Sequence, residues 1–266
     1  MDFWKLQGAG NDFILIDNRK GLIKNLSSLA RTVCHRNFGV GADGLIAVEV
    51  SDISDIRMAF FNSDGSMATM CGNGIRCFSK FVRDQGILLS DSFSVETGDG
   101  NKQVIIKEQN INASLIQVEM GKAKEIRSME ILAEGNSYKL IFMHIGVPHS
   151  VLAVDGDLID STNQLGPQIE KNPAFPDGTN VNFIRVTGDS KLTISTWERG
   201  AGRTLACGTG ACASALAAFR QNLVNSPVRV KMPGGEVIIH VAADGALSME
   251  GWAQLICKGT LYLPFQ

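Results

Sequence analysis

The sequence predicts an α+β protein of two pseudo-symmetric domains, each a curved, mainly antiparallel sheet wrapped around a central helix. Three observations lead there. A set of motifs recurs at a constant separation of 136 residues. Strand-like segments outnumber helical ones and follow one another at hairpin spacing. The chain has 266 residues, and length over about 150 gives a prior near two domains.

The repeat is anchored by CGNGIRC, beginning at Cys71, and CGTGAC, beginning at Cys207. In the same register Gly10 falls on Gly146, Asn62 on Glu198, Gly44 on Asn180, and the helix-like segment 27–36 on segment 163–172. Beyond the cysteines the register slips by one residue, where VETGDG meets VKMPGG. One such match arises easily by chance, but several in chain order do not. The expected domains are 1–117 and 118–254, with the boundary lying between 113 and 125.

Each half reads as the same succession of elements. A strand (3–6; 140–144) leads through a glycine turn into a second strand (13–16; 150–154), and a helix follows. Paired strands come next, 44–50 with 56–61 and 181–187 with 191–197. A helix then opens at each CGxG, and a hairpin closes the set at GDG or PGG. Helix 73–84 carries Ile75, Phe78 and Val82 on one stripe. Helix 209–220, TGACASALAAFR, is small and apolar nearly all round, which predicts burial inside a sheet.

Composition narrows the function class. Hydrophobic residues make up 44% and charged residues 20% of the chain, with a formal net charge of −2 and no long run of one sign. That argues against a nucleic-acid surface or a basic membrane patch. The start, MDFWKLQGAGNDF, lacks a signal-peptide pattern, and no apolar stretch approaches about 18 residues, so the cytoplasm is the expected compartment. GVGADG (39–44) matches G-x-G-x-x-G, but it follows a helix and precedes a strand. It therefore reads as a glycine turn rather than a dinucleotide site.

Six cysteines, none in C-x-x-C spacing, suggest free thiols rather than disulfides or zinc ligands. A lone cysteine is usually a small buried hydrophobe, and that reading fits Cys34, Cys77, Cys212 and Cys257. Cys71 and Cys207 differ, because each immediately precedes G-x-G at a helix start. There, free N–H groups and the helix dipole lower a thiol's pKa. Two equivalent thiols suit inversion at carbon, with one removing a proton from one face and the other delivering a proton to the opposite face. Backbone donors at GNG and GTG would take the charge growing on an α-carboxylate. A thiol-redox or binding protein of the same fold is the reading from another class. His149 and Glu198 are candidate acid–base helpers, and Arg199 a carboxylate partner. Asn11, Asn62, Asn73 and Asn180 stand at strand ends and turns.

Taken together, GAGNDFILID, GVGADG, FFNSDGSMATMCGNGIRC, GVPH, GTNVNF and ERGAGRTLACGTGACA closely resemble diaminopimelate epimerases over essentially the whole chain. The resemblance implies conversion of LL- to meso-diaminopimelate, for lysine and peptidoglycan synthesis, without cofactor or metal. It implies a last strand, 255–266, returning to the first domain, a site in the cleft between domains, and a homodimer, which members often form. It assigns Cys71 and Cys207 to proton transfer, and Gly72, Asn73, Gly208 and Thr209 to the α-carboxylate. Asn11, Asn62, Asn180, Glu198 and Arg199 would contact substrate, with His149 and Glu198 near the cysteines. Gly44 stands where many members have glutamine, and Val147 where many have asparagine. Both positions would read the distal end of the substrate, so a cofactor-free racemase of another amino acid is the close alternative.

Overall fold

The computed structural model describes residues 1–262. The chain divides into one unit of Met1–Val118 joined by the chain from Gly251 onward, and a second unit of Glu119–Glu250. The return to the first unit thus begins four residues before the expected position 255.

In the first unit the strands are β1 (Asp2–Gly8), β2 (Asn11–Asp17), β3 (Gly44–Glu49), β4 (Ile56–Asn62), β5 (Met67–Ala68), β6 (Ser92–Thr97), β7 (Gly100–Gln109) and β8 (Ala113–Lys122). The helices are α1 (Leu26–Val33) and α2 (Gly72–Asp84). Pairing is antiparallel except for β2 with β3 and β4 with β6. Strand alternation gives the sheet two apolar faces. On β2, Ile14 and Ile16 join Leu26, Leu29, Ala30 and Val33 of α1 in one buried cluster. Phe13, one residue out of phase, lies instead toward the start of α2. Residues 72–82 of α2 are buried throughout, against β1, β2, β3 and β7.

The second unit contains β9 (Lys124–Ala133), β10 (Asn136–Ile145), β11 (Val147–Ala153), α3 (Leu158–Glu170), β12 (Asn180–Gly188), β13 (Lys191–Glu198), β14 (Gly202–Thr204), α4 (Gly208–Arg220), β15 (Val228–Met232), β16 (Gly235–Val241) and the first part of β17 (Ala246–Thr260). Shifted by 136, β2 and α2 superimpose residue for residue on β11 and α4. The parallel pairs recur as well, as β11 with β12 and β13 with β15. Leu158, Leu165 and Ile169 of α3 pack on Leu152, Val181 and Phe183. Helix α4 is buried from Gly210 to Ala218, as its all-round small apolar surface requires.

β17 begins against β16 and ends against β1, closing the first unit: β8 pairs β17, β17 pairs β1, and the sheet runs round through β2, β3, β4, β6 and β7 to β8. Every strand in that circuit has two neighbours, so α2 occupies the inside of a closed sheet. β17 ends at Thr260, and the 263–266 portion of the expected last strand lies outside the described residues.

Three expectations change. α1 stops at Val33 rather than Arg36, because the glycine-rich turn folds the chain back so that the Val40 and Gly41 N–H groups donate to the Val33 carbonyl. α3 begins at Leu158 rather than 163, because the Asp157 carboxylate caps the amides of Ile159 and Asp160. Cys257, expected in the core, is exposed, because a bulge at Ile256, between the pairs Leu6–Leu255 and Lys5–Cys257, interrupts the alternation of β17. Gly39–Asp43 are turn and loop before β3, as read from the motif.

Candidate active site

Cys71 is the N-cap of α2, with extended backbone dihedrals. Its Sγ accepts the Gly74 N–H at 3.4 Å, while its thiol is directed to Asn11 Oδ1 at 3.5 Å. Negative charge on Sγ would therefore meet a backbone donor and the positive end of the helix dipole. Asn11 is itself held: its Nδ2 donates to Asp43 Oδ2 at 2.5 Å, and Arg36 ties Asp43 (2.8 Å) to Asp12 (3.2 Å), which also meets Lys5 at 2.9 Å. Asn73 is buried beside Cys71, and its Oδ1 accepts from Arg76 Nη2 at 2.8 Å. Asn62 ends β4 opposite Gly44, and its Nδ2 donates to Ser66 Oγ at 3.0 Å. Gly44 has a packing reason of its own. A Cβ there would lie 2.6 Å from Phe60 Cε2 and 2.8 Å from the Phe61 carbonyl.

Cys207 is the N-cap of α4, equivalent in position but not in environment. It is buried, its Sγ lies 3.6 Å from Thr209 Oγ1, and its thiol shares a hydrogen bond with Glu198. Burial pushes the thiol well above the ordinary range, and the Glu198 charge pushes it further. Thr209 and the Gly210 amide offset only part of that rise, and no side-chain cap bond is closed. The expectation of two lowered thiols therefore fails for Cys207, because desolvation outweighs the helix terminus. Glu198, whose Oε1 accepts from Thr204 at 2.6 Å, is likewise raised by burial.

His149 on β11 is fully buried, beside Asn180 in register. Burial, and then the charges of His144 and Arg199, hold it down to about 3, so its imidazole is neutral. Its Nδ1 faces Asn182 Nδ2 at 3.2 Å. Asn180 bridges backbone, donating to the Pro148 carbonyl at 3.2 Å and accepting the Arg199 N–H at 2.8 Å. The Arg199 guanidinium donates to the Asp177 carbonyl at 2.7 Å. Val147 opens β11 and Gly208 opens α4.

Asp43, Arg36, Arg76, Asn182 and Thr196 support these side chains and were not singled out from the sequence. A signal for two of them was present. At the 136-residue offset, Asn182 and Thr196 fall on Ile46 and Phe60, a polar-for-apolar exchange in otherwise matched strands. Among the described residues no group of three or more His, Cys, Asp or Glu side chains could hold a metal ion, and no helix is long and apolar enough to cross a membrane.

The diaminopimelate epimerase family model matches residues 3–126 and 141–256. Diaminopimelate epimerase of Clostridium perfringens is 43% identical over 274 residues, covering 98% of this chain and 99% of that protein. The enzyme of Alkaliphilus metalliredigens is 40% identical over 271 residues, covering 97% and 96%. Among solved structures, a probable proline racemase from Agrobacterium radiobacter has a TM-score of 0.73 at 13% identity, covering 99% of this chain and 93% of that one. A PhzF-family phenazine biosynthesis protein from Bacillus anthracis has a TM-score of 0.72 at 14% identity, covering 99% of both chains. These two share the fold.

Proposed function

Since this chain belongs to the diaminopimelate epimerase family, we propose that it interconverts LL- and meso-2,6-diaminopimelate in lysine biosynthesis with Cys71 and Cys207 as its two bases. The observation that carries this reading is the pair of cysteines at equivalent N-caps of α2 and α4. The Cys71 thiolate, supported by the Gly74 N–H, takes the α-proton, and the electron pair passes into the carboxylate as an enediolate. Cys207, held as a thiol by its burial, delivers its proton to the opposite face of the carbon. One C–H bond breaks and one forms, and the thiol and thiolate have exchanged roles.

Return to the starting state needs Cys207 to regain a proton and Cys71 to lose one, and Glu198, hydrogen-bonded to Cys207 with its acid form favoured by burial, is the donor at hand for Cys207. Residues Gly72, Asn73, Gly208 and Thr209 open their helices, where first-turn amides have no intrahelical acceptor. Those amides suit the growing enediolate charge. Asn11, Asn62, Asn180 and Arg199 are assigned to the substrate's polar groups. Gly44 and Val147 offer no side-chain hydrogen bond to the distal amino acid group, so its recognition falls to the others. The reaction needs no added cofactor or metal, and the free thiols fit a reducing cytoplasm. A homodimer, expected from the resemblance, is tested by light scattering on the eluting protein.

The deciding experiment follows α-proton exchange in D2O with LL-diaminopimelate against a panel of other amino acids. Exchange and epimerisation of diaminopimelate, unaffected by chelators and carbonyl reagents, are expected. Turnover of a different amino acid with none of diaminopimelate would reassign the substrate. Exchange with neither would remove the epimerase reading.

A further inference from the structure

The second unit contains a fully buried polar group that its sister replaces with hydrocarbon. His149, Asn182 and Thr196 correspond, 136 residues upstream, to Phe13, Ile46 and Phe60. The correspondence is structural: Ile46 pairs Phe60 across β3 and β4 as Asn182 pairs Thr196 across β12 and β13. In the first unit Phe13 and Phe60 pack edge to face at 5.7 Å, and Ile46 and Phe13 both lie against Gly74. The same slot is thus filled by apolar packing where packing is all it must do. Burying three polar side chains there is costly unless each is satisfied, so fold stability does not explain them.

Their hydrogen bonds run in one direction. Asn182 Nδ2 donates to the Ser150 carbonyl at 3.1 Å, an atom that can only accept, which fixes which end of the amide points where. Asn182 Oδ1 accepts from Thr196 Oγ1 at 3.1 Å. The second Nδ2 hydrogen then meets His149 Nδ1 at 3.2 Å, so Nδ1 is an acceptor and the imidazole proton resides on Nε2. Nε2 is buried and has no hydrogen-bond partner among the described residues. The same Asn182 stands at the start of α4: a Cβ on Gly210 would lie 2.3 Å from Asn182 Oδ1 and 3.2 Å from Cys207 Sγ.

We infer that Asn182, seated by Ser150 and Thr196, is a positioning residue that locks His149 as the Nε2–H tautomer, making it a hydrogen-bond donor rather than a proton acceptor in the reaction. This revises the acid–base role expected for His149. Its burial, with His144 and Arg199 as the charged neighbours, disfavours the imidazolium and keeps that donor neutral. Such a donor suits negative charge brought by the reaction, as a substrate carboxylate or a cysteine thiolate, and needs no proton to change hands. The inference rests on the epimerase reading for its kinetic consequence, not for the tautomer itself.

The test is 15N NMR of the imidazole in the whole protein labelled at histidine, with the signals assigned by comparison with His149→Phe. Wild type should show a bare Nδ1 and a protonated Nε2. Asn182→Asp, which offers Nδ1 an acceptor, should move the proton to Nδ1 and lower kcat/KM about 10²-fold, the cost of one preorganised donor. A loss confined to KM would assign the donor to a carboxylate bound in the ground state. A loss in kcat would assign it to charge that develops later. Should Asn182→Asp fail to fold, Asn182→Ile, which copies Ile46 of the first unit, should release the lock and give mixed tautomers with about a tenfold loss. A protonated Nδ1 in wild type would overturn the inference. So would an inverted tautomer with unchanged kinetics. Failure of the epimerase reading would show separately, as wild-type protein that exchanges no α-proton in D2O.

Discussion

Gly74 and Gly210 occupy the same place in the first turns of α2 and α4, yet alanine should be tolerated at one and not at the other. A Cβ on Gly74 would meet Ile46 Cδ1 at 3.1 Å and Cys71 Cβ at 3.3 Å. The first contact is with the free end of a side chain that can give by a few tenths of an ångström. Alanine also favours helix by up to about 1 kcal/mol over glycine, so the net change at Gly74 should lie near zero. At Gly210 the Cβ would lie 2.3 Å from Asn182 Oδ1, an atom pinned through Thr196 and the Ser150 carbonyl. Moving it costs about 1–3 kcal/mol of overpacking and about 1 kcal/mol for a broken buried hydrogen bond, less the same helix gain. Gly210→Ala should therefore be less stable than Gly74→Ala by about 2 kcal/mol. For a chain of this size that is a Tm lower by about 4–8 °C. Differential scanning calorimetry of the two variants measures it directly. Proton exchange should also fall further in Gly210→Ala, since both Cys207 and Asn182 must shift. Equal melting temperatures would refute the reasoning, because the 2.3 Å approach to Asn182 Oδ1 is the main difference between the two positions.

Other predictions follow from the same geometry. Cys71→Ser and Cys207→Ser should each lower epimerisation about 10²–10⁴-fold, the usual range for one acid–base group, while exchange from one stereoisomer into D2O survives. Unchanged turnover in either variant, measured by chiral chromatography, would remove the two-base scheme. His149 is held near 3 when folded and near its ordinary value when unfolded, so its contribution is present above about 6.5. That stability is lost as pH falls toward 3, at about 1.4 kcal/mol per pH unit. His149→Phe, copying Phe13, should flatten the acid limb of a urea-denaturation series; an unchanged limb would show that other groups govern acid unfolding. Gly44→Gln would drive a Cβ into Phe60 and the Phe61 carbonyl, and should cost about 1–3 kcal/mol in the same assay rather than improve substrate recognition.

Much of the molecule could be read from the sequence because the relevant interactions are local or repeated. An N-cap acts on the amides two and three residues ahead, so C-G-x-G before an apolar run marks both a helix start and the position of a thiol. α2 and α4 accordingly begin where the two motifs place them. Alternation along NDFILID shows two buried faces, and the constant offset transfers each reading to the other half. Element ends were less legible. The Val33 terminus depends on a glycine loop folding back, and α3 begins at an Asp157 cap outside the repeat.

The two cysteines show where the division falls. Their pairing, their helix-start positions and their suitability for inversion at carbon were determined by the sequence, because repetition and capping depend on residues close in the chain. Their different characters were decided only by tertiary structure. Asn11, 60 residues from Cys71, and Asp43 beyond it shape one site. Burial and the Glu198 carboxylate raise the Cys207 thiol at the other. No motif encodes desolvation, which depends on every atom that displaces water from a group. For the same reason a neutral, oriented His149 emerges only when Asn182 and Thr196, ordinary strand residues in sequence, are brought beneath the start of α4.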